Sequence, residues 1–188
     1  MKIIGLAGTN GSGKDTVAEF LRDEHGYYVV SATDMLEAEL KKLGWPTDRT
    51  HKRKLGNQWR REQGVGVIVQ RAIDEAKAAG CDKLVVGSLR NSGEADLVHE
   101  LGGKIIWVDA DPKIRYARIS GGTRNRTEDN KSYEDFLRDE QTEMNEAGDE
   151  STLNMGKVKT KSDIFIENNY NSIEKLKTEL GKLKIDFL

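Results

Sequence analysis

Ile3-Ile4-Gly5-Leu6-Ala7-Gly8-Thr9-Asn10-Gly11-Ser12-Gly13-Lys14-Asp15-Thr16 is the stretch that decides the fold. An apolar run leads into a glycine-rich turn, and Val17, Phe20 and Leu21 then follow at helical spacing. Strand, turn and helix in that order are the context in which Gly-x-x-x-x-Gly-Lys reads as a Walker A phosphate loop. Gly8, Gly11 and Gly13 allow torsions barred to other residues, so successive N–H groups can turn inward around phosphate oxygens. The start of the next helix adds partial positive charge, and Lys14 adds a full one. Asn10 to Thr16 are therefore the expected nucleoside triphosphate contacts.

The position after Lys14, usually Ser or Thr for magnesium, is Asp15, and Thr16 follows. Asp15 either caps the helix or orients metal-bound water, while Thr16 has the better claim to the phosphate and Mg2+ environment. This Gly-Lys-x-Thr arrangement resembles adenylate-kinase-like small-molecule kinases more than GTPases.

Working outward, four further apolar runs read as strands: 27–31, 83–87, 104–108 and 163–166. Rich in Val and Ile, they suit strands covered on both faces. Helical patterns lie between them, such as Leu36/Leu40/Leu43 and Val69/Ala72/Ile73/Ala76. Asp111-Pro112 supplies a cap and a first-turn proline, and Asn171-Ser172-Ile173-Glu174 has a capping-box pattern. Strand–helix alternation implies one doubly wound α/β domain around a parallel sheet. A chain of 188 residues suits a single domain.

With 30 basic and 32 acidic residues, a net charge of −2 gives no bulk attraction to nucleic acid. The chain has no apolar run of membrane-spanning length, and Met1 leads directly into a strand, so a cytoplasmic protein without a signal peptide is expected. Cys81 is the single cysteine, which excludes an internal disulfide. His25, His51 and His99 lack metal-ligand spacing and read as surface residues. The three tryptophans read as packing, with Trp59 the one placed to meet a base.

In a doubly wound sheet, ligands bind beyond the carboxyl ends of the strands. Polar clusters fall there: the glycine loop, Thr33-Asp34, Arg90-Asn91 and Asn168-Asn169. Asp34 either caps the helix that follows or places a carboxylate near the acceptor, to activate a hydroxyl or hold metal-bound water. Arg60, Arg61 and Arg90 are candidates for gripping an anionic acceptor, because the planar guanidinium donates two parallel hydrogen bonds. One of Arg60 and Arg61 is expected to reach ligand. In Ser120 to Lys131, glycines followed by Arg124 and Arg126 resemble a lid over transferring phosphates, with Arg118 a further contender.

The chain resembles the P-loop small-molecule kinases, in particular the nucleoside monophosphate kinases and dephospho-CoA kinase-like proteins. The likeness rests on Gly11-Ser12-Gly13-Lys14-Asp15-Thr16-Val17-Ala18, Gly87-Ser88-Leu89-Arg90, Val108-Asp109-Ala110-Asp111-Pro112 and Ile164-Phe165-Ile166-Glu167-Asn168-Asn169. It implies a five-stranded sheet of order 2-3-1-4-5, with a core of about 1–33, 80–119 and 148–188. It also implies a substrate-binding insert over about 34–79 and a lid over about 120–147. Asn168 and Asn169 would lie near the adenine of ATP. Gly87-Ser88 lacks the acidic residue of a regular Walker B motif.

The implied activity is ATP- and Mg2+-dependent phosphoryl transfer to a small anionic acceptor, preferably a nucleoside or deoxynucleoside monophosphate. Lys14, Asp34, Arg124 and Arg126 would carry the catalysis. The alternatives are phosphorylation of a hydroxyl, as in dephospho-CoA kinase, and a nucleotide-dependent regulatory or binding protein. A monomer or homodimer without membrane or nucleic-acid partners is expected.

Overall fold

The structure, a computed structural model, describes residues 1–121, 132–145 and 148–182. Its centre is a five-stranded parallel sheet: β1 (Lys2–Gly8), β2 (Tyr28–Ser31), β3 (Lys83–Gly87), β4 (Lys104–Asp109) and β5 (Ile164–Glu167). The spatial order is β2-β3-β1-β4-β5, as the resemblance implies. All five expected strands are present, with ends shifted by at most one residue.

Alternation along β1 shows how the sheet is covered. Ile3 and Ala7 face a core that holds Val69, Ala72, Ile73 and Ala76 of α4 (Val67–Ala78) and Ala95 and Val98 of α5 (Ser92–Glu100). Met155 and Val158 of α8 (Met155–Thr160) complete that layer. Ile4 and Leu6 face the other layer, with Val17 and Leu21 of α1 (Lys14–His25) and Leu176 and Leu180 of α9 (Ile173–Lys182). Burial on both faces is why β1, β3 and β4 are continuously apolar rather than alternating. At the sheet edge, β5 leaves Phe165 59% exposed, contrary to the expectation of cover on both faces.

A third cluster lies beyond the sheet. It joins Leu36 and Leu40 of α2 (Ala32–Lys42) and Leu55 and Trp59 of α3 (Arg49–Gln63) to Val67 and Ile68. Within the expected insert, α4 serves two cores: its first turn packs with α2 and α3, and its later turns pack on the sheet. Two more helices, α6 (Pro112–Ser120) and α7 (Tyr133–Met144), pack against each other. Phe136 of α7 is buried and packs beside Tyr116 of α6. No helix among the described residues is long and apolar enough to cross a membrane.

Several caps differ from expectation. Asp111 caps α6 with Pro112 behind it, as the sequence implies. At α2 the cap is Ser31, whose hydroxyl accepts from the Asp34 N–H at 3.3 Å, so Asp34 sits inside the first turn. At α1 the cap position is Gly13, and Asp15 again lies within the first turn. At α9 the Ser172 hydroxyl accepts from the Lys175 N–H, not the Asn171–Glu174 pair. The capping box occurs at α5 instead, between Asn91 and Glu94. The reason is geometric: a cap side chain must reach two or three residues ahead, and each of these helices starts from a slightly different residue than its apolar pattern suggests.

Candidate active site

The phosphate loop is held from behind. The Thr9 carbonyl accepts from the Ser12 hydroxyl at 2.8 Å and from Lys14 Nζ at 2.6 Å. The Asn10 carbonyl accepts from Arg115, the Gly11 carbonyl from Arg118, and the Ser12 carbonyl from Asn168 Nδ2 at 2.8 Å. Four consecutive carbonyls therefore meet donors of the protein. Carbonyls engaged in this way do not stand as bare negative poles against an anion at the loop.

Gly8 and Gly13 are sterically required. At Gly8 (φ 141°) a Cβ would overlap the Val108 carbonyl of the neighbouring strand. At Gly13 (φ 94°) it would lie 2.5 Å from Asn168 Nδ2. The loop and the turn after β5 are thus fitted to each other.

Thr9 also donates its hydroxyl to Asp109 at the end of β4, at 2.7 Å. Burial works against ionisation of Asp109. Its hydrogen bonds from Thr9, Ala110 and Trp107, with Arg115 nearby, outweigh that and hold the carboxyl below its ordinary value. Arg115 is itself buried and pairs through two nitrogens with Glu140 of α7.

Two cavities flank the loop. One, of about 570 Å³, is lined by Gly11, Gly13, Lys14, Asp15, Thr16, Asp34, Arg118, Asn168 and Tyr170, among others. The second, of about 640 Å³, lies between α3, α6 and α7, with Arg49, Lys52, Arg53, Arg60, Phe136 and Glu143 in its wall. Asn10, Thr33, Ser88, Arg90 and Ile119 line both. Ser88, at φ 65°, is the non-glycine residue with positive φ among the described residues. A strained residue where two cavities meet is a functional indicator, with a typical cost of about 1–3 kcal/mol. It occupies the end of β3, where the sequence lacks a Walker B carboxylate.

The arginines sort sharply by partner. Arg90 reaches the junction and donates to Glu143 Oε1 at 2.9 Å. Arg49, which the sequence reading did not single out, donates to the same oxygen at 2.9 Å. Burial raises the cost of charging Glu143, but the Arg90 and Arg49 guanidiniums prevail and hold its carboxyl below the ordinary value. Arg60 contributes to the cavity wall but is committed to Glu94, at 2.6 and 3.0 Å, with side-chain exposures of 3% and 1%. Glu94 Oε2 also accepts the N–H groups of Arg90 and Asn91. Arg60 is therefore a buried structural cation rather than a hand open to ligand. Arg61 lines neither cavity and pairs with Asp149 at the surface, at 3.2 Å.

Arg118 lines the first cavity and not the second, donating to the Asn168 and Tyr170 carbonyls at 2.9 and 2.8 Å. Desolvation lowers the pKa of its guanidinium. Asn168 lines that cavity, whereas Asn169 accepts from the Asp111 N–H and donates to Glu167, outside it. Trp59 is buried, with the Arg71 guanidinium 3.9 Å over its ring, so it packs rather than meeting a base. Arg124 and Arg126 lie outside the described residues.

Arg49 had a legible local signal. Asp48 caps α3, and Arg49, Lys52, Arg53, Gly56 and Arg60 recur at helical spacing along one face toward the second cavity. Glu143 had none, because its partners are 94 and 53 residues away. Among the described residues there is no cluster of three or more His, Cys, Asp or Glu side chains suited to a metal. Thr16, Asp15 and Asp34 are among the oxygen-bearing side chains on the first cavity's wall, which also include Glu19, Ser31, Thr33 and Ser88.

A parallel 2-3-1-4-5 sheet with a phosphate loop after its central strand defines a P-loop NTPase fold of the kinase-like kind. Similar folds include shikimate kinase from Bacteroides thetaiotaomicron, with a TM-score of 0.60 and 14% identity over 97% of each chain. Shikimate kinase from Acinetobacter baumannii in complex with shikimate gives 0.57 and 15%, over 99% of this chain and 94% of that one. The chain belongs to the AAA domain family, whose model matches residues 4–149, and to the UPF0200 proteins. Among these, the Pyrobaculum aerophilum protein is 28% identical over 188 residues, covering 99% of this chain and 98% of its own. The Methanothrix thermoacetophila protein is 31% identical over 133 residues, or 69% and 70% of the two chains.

Proposed function

We propose that the protein transfers a phosphoryl group from ATP to a small anionic acceptor, preferably a nucleoside or deoxynucleoside monophosphate. The observation that carries this reading is the meeting of two cavities at Asn10, Thr33, Ser88 and Arg90. A phosphotransferase needs two substrates end to end with their reacting oxygens in line, and catalysis by positioning requires that geometry.

ATP would occupy the first cavity. The loop amides and Lys14 would bind its β- and γ-phosphates, and Asn168 and Arg118 border the space left for adenine. Lys14 now lies on the Thr9 carbonyl and would exchange that neutral acceptor for phosphate oxygens. Mg2+, where bound, would neutralise phosphate charge. Thr16, with Asp15 and Asp34 to hold its water shell, is the donor set that suits it.

The acceptor would occupy the second cavity. Arg90 and Arg49 would grip its anionic group, and the apolar wall that includes Leu36, Ile68 and Phe136 would receive its uncharged part. Asp34 lines the first cavity and not the second. That placement favours a metal-water role over deprotonation of an acceptor hydroxyl, and so favours a phosphate acceptor.

A coupled assay of ADP release across ribo- and deoxynucleoside monophosphates, dephospho-CoA and shikimate tests the reading. Turnover with a monophosphate supports it. Turnover with a hydroxyl acceptor alone would replace it with the second kinase reading. Nucleotide binding with no acceptor-dependent turnover would leave a nucleotide-dependent binding protein.

A further inference from the structure

Resting on that reading of the second cavity, we infer that Glu143 is an internal occupant of the acceptor's anion subsite. Its carboxylate holds Arg49 and Arg90 until a compact oxyanion of the acceptor, phosphate or carboxylate, displaces it.

The geometry is that of a ligand supplied by the protein itself. Arg49 comes from α3, Arg90 from the loop between β3 and α5, and Glu143 from the last turn of α7. One carboxylate oxygen takes a hydrogen bond of 2.9 Å from each guanidinium, and a second Arg49 nitrogen closes on the same oxygen. Two convergent guanidiniums are the arrangement that recognises carboxylate and phosphate alike.

A permanent structural pair looks different here. Arg60 and Glu94 are sealed, with side-chain exposures of 3% and 1%. Arg49, Arg90 and Glu143 remain 35%, 30% and 16% exposed, and all three line the roomy second cavity. The contact is thus accessible to a competing solute, which the Arg60–Glu94 contact is not.

The helix makes the occupant displaceable. Glu143 sits at the carboxyl end of α7, where the helix dipole disfavours a negative charge. The arginines oppose that and keep it ionised. One turn earlier Glu140 is fixed to Arg115, whose side chain is 2% exposed. Glu143 would be released with the Glu140–Arg115 contact retained.

Calorimetric titration of the whole protein with inorganic phosphate, without nucleotide, reads the subsite directly. If Glu143 occupies it about nine-tenths of the time, Glu143→Gln should tighten phosphate binding about tenfold. That gain should survive Lys14→Ala, which disables the phosphate loop, and vanish with Arg90→Ala. Should melting curves show that Glu143→Gln does not fold, Glu143→Asp, which withdraws the carboxylate by one methylene, gives the same readout. Unchanged or weaker phosphate binding in the folded variant, binding in neither protein, or a gain that persists in Arg90→Ala would each overturn the inference. Failure of every acceptor in the ADP assay, with the phosphate gain intact, would count against the kinase reading alone.

Discussion

Asn168 and Ser12 stand 156 residues apart in sequence, yet the Asn168 side chain donates to the Ser12 carbonyl at 2.8 Å. That bond joins the turn after β5 to the phosphate loop, and Asn168 is 4% exposed. Loss of a buried hydrogen-bond partner costs about 1–3 kcal/mol. Asn168→Ala should lower the melting temperature and weaken ATP binding together, since the freed Ser12 carbonyl loosens the loop. Nucleotide titration and thermal unfolding check this. A stable variant with wild-type affinity would remove Asn168 from the nucleotide site.

Lys14→Ala tests the chemistry rather than the fold. A preorganised charge opposite the transferring group is typically worth on the order of 10²–10³ in turnover. We expect ADP release to fall by at least that factor with near-native circular dichroism. Near-wild-type turnover by a folded variant would falsify the catalytic role of the loop.

Arg90→Ala and Asp34→Asn separate the two kinase readings. A phosphate acceptor arrives anionic and needs its arginine, whereas a hydroxyl acceptor gains about 10²–10⁴-fold from a general base. We expect Arg90→Ala to raise the KM of the acceptor strongly and Asp34→Asn to be the milder change. Collapse of kcat in Asp34→Asn, with Arg90→Ala nearly silent, would point to a hydroxyl.

Arg60 and Glu94 should behave as structure. Breaking a buried ion pair by removing one partner costs about 3–5 kcal/mol, and Glu94 also holds the Arg90 and Asn91 N–H groups. Denaturant unfolding of Glu94→Ala should show a loss of that order. A variant that unfolds like the wild type but has lost acceptor binding would return Arg60 to the ligand-binding set.

Asp109 gives a pH dependence. Its carboxyl titrates lower in the folded protein than in the unfolded chain, because the Thr9, Ala110 and Trp107 hydrogen bonds and Arg115 outweigh its burial. The unfolded state therefore binds its proton first, and the stabilisation is complete above the unfolded value of about 3.9 and fades as pH falls through the folded one. The stability gap between wild type and Asp109→Asn should hold from pH 7 to 5 and narrow progressively below about pH 4. A gap that widened on acidification would contradict the ionised role.

The sequence by itself determined the sheet and the phosphate loop. Ile3 to Ala7 and the other strands are short runs apolar on both faces, and Gly8, Gly11, Gly13 and Lys14 are local requirements of one turn. Periodicity and glycine torsions act within a few residues, so one segment suffices to read them. Arg90, beyond a strand end, already stands apart in the sequence from Arg60 and Arg61, but tertiary structure alone decided the partner of each. Glu94 committed Arg60, Asp149 drew Arg61 to the surface, and Glu143 kept Arg90 at the junction. Tertiary structure also set Asn168 against the phosphate loop and turned Asn169 to the Asp111 N–H, outside the first cavity. An ionised side chain takes its role from the partner that neutralises it. Here those partners come from 34 to 88 residues away and meet only in the folded chain.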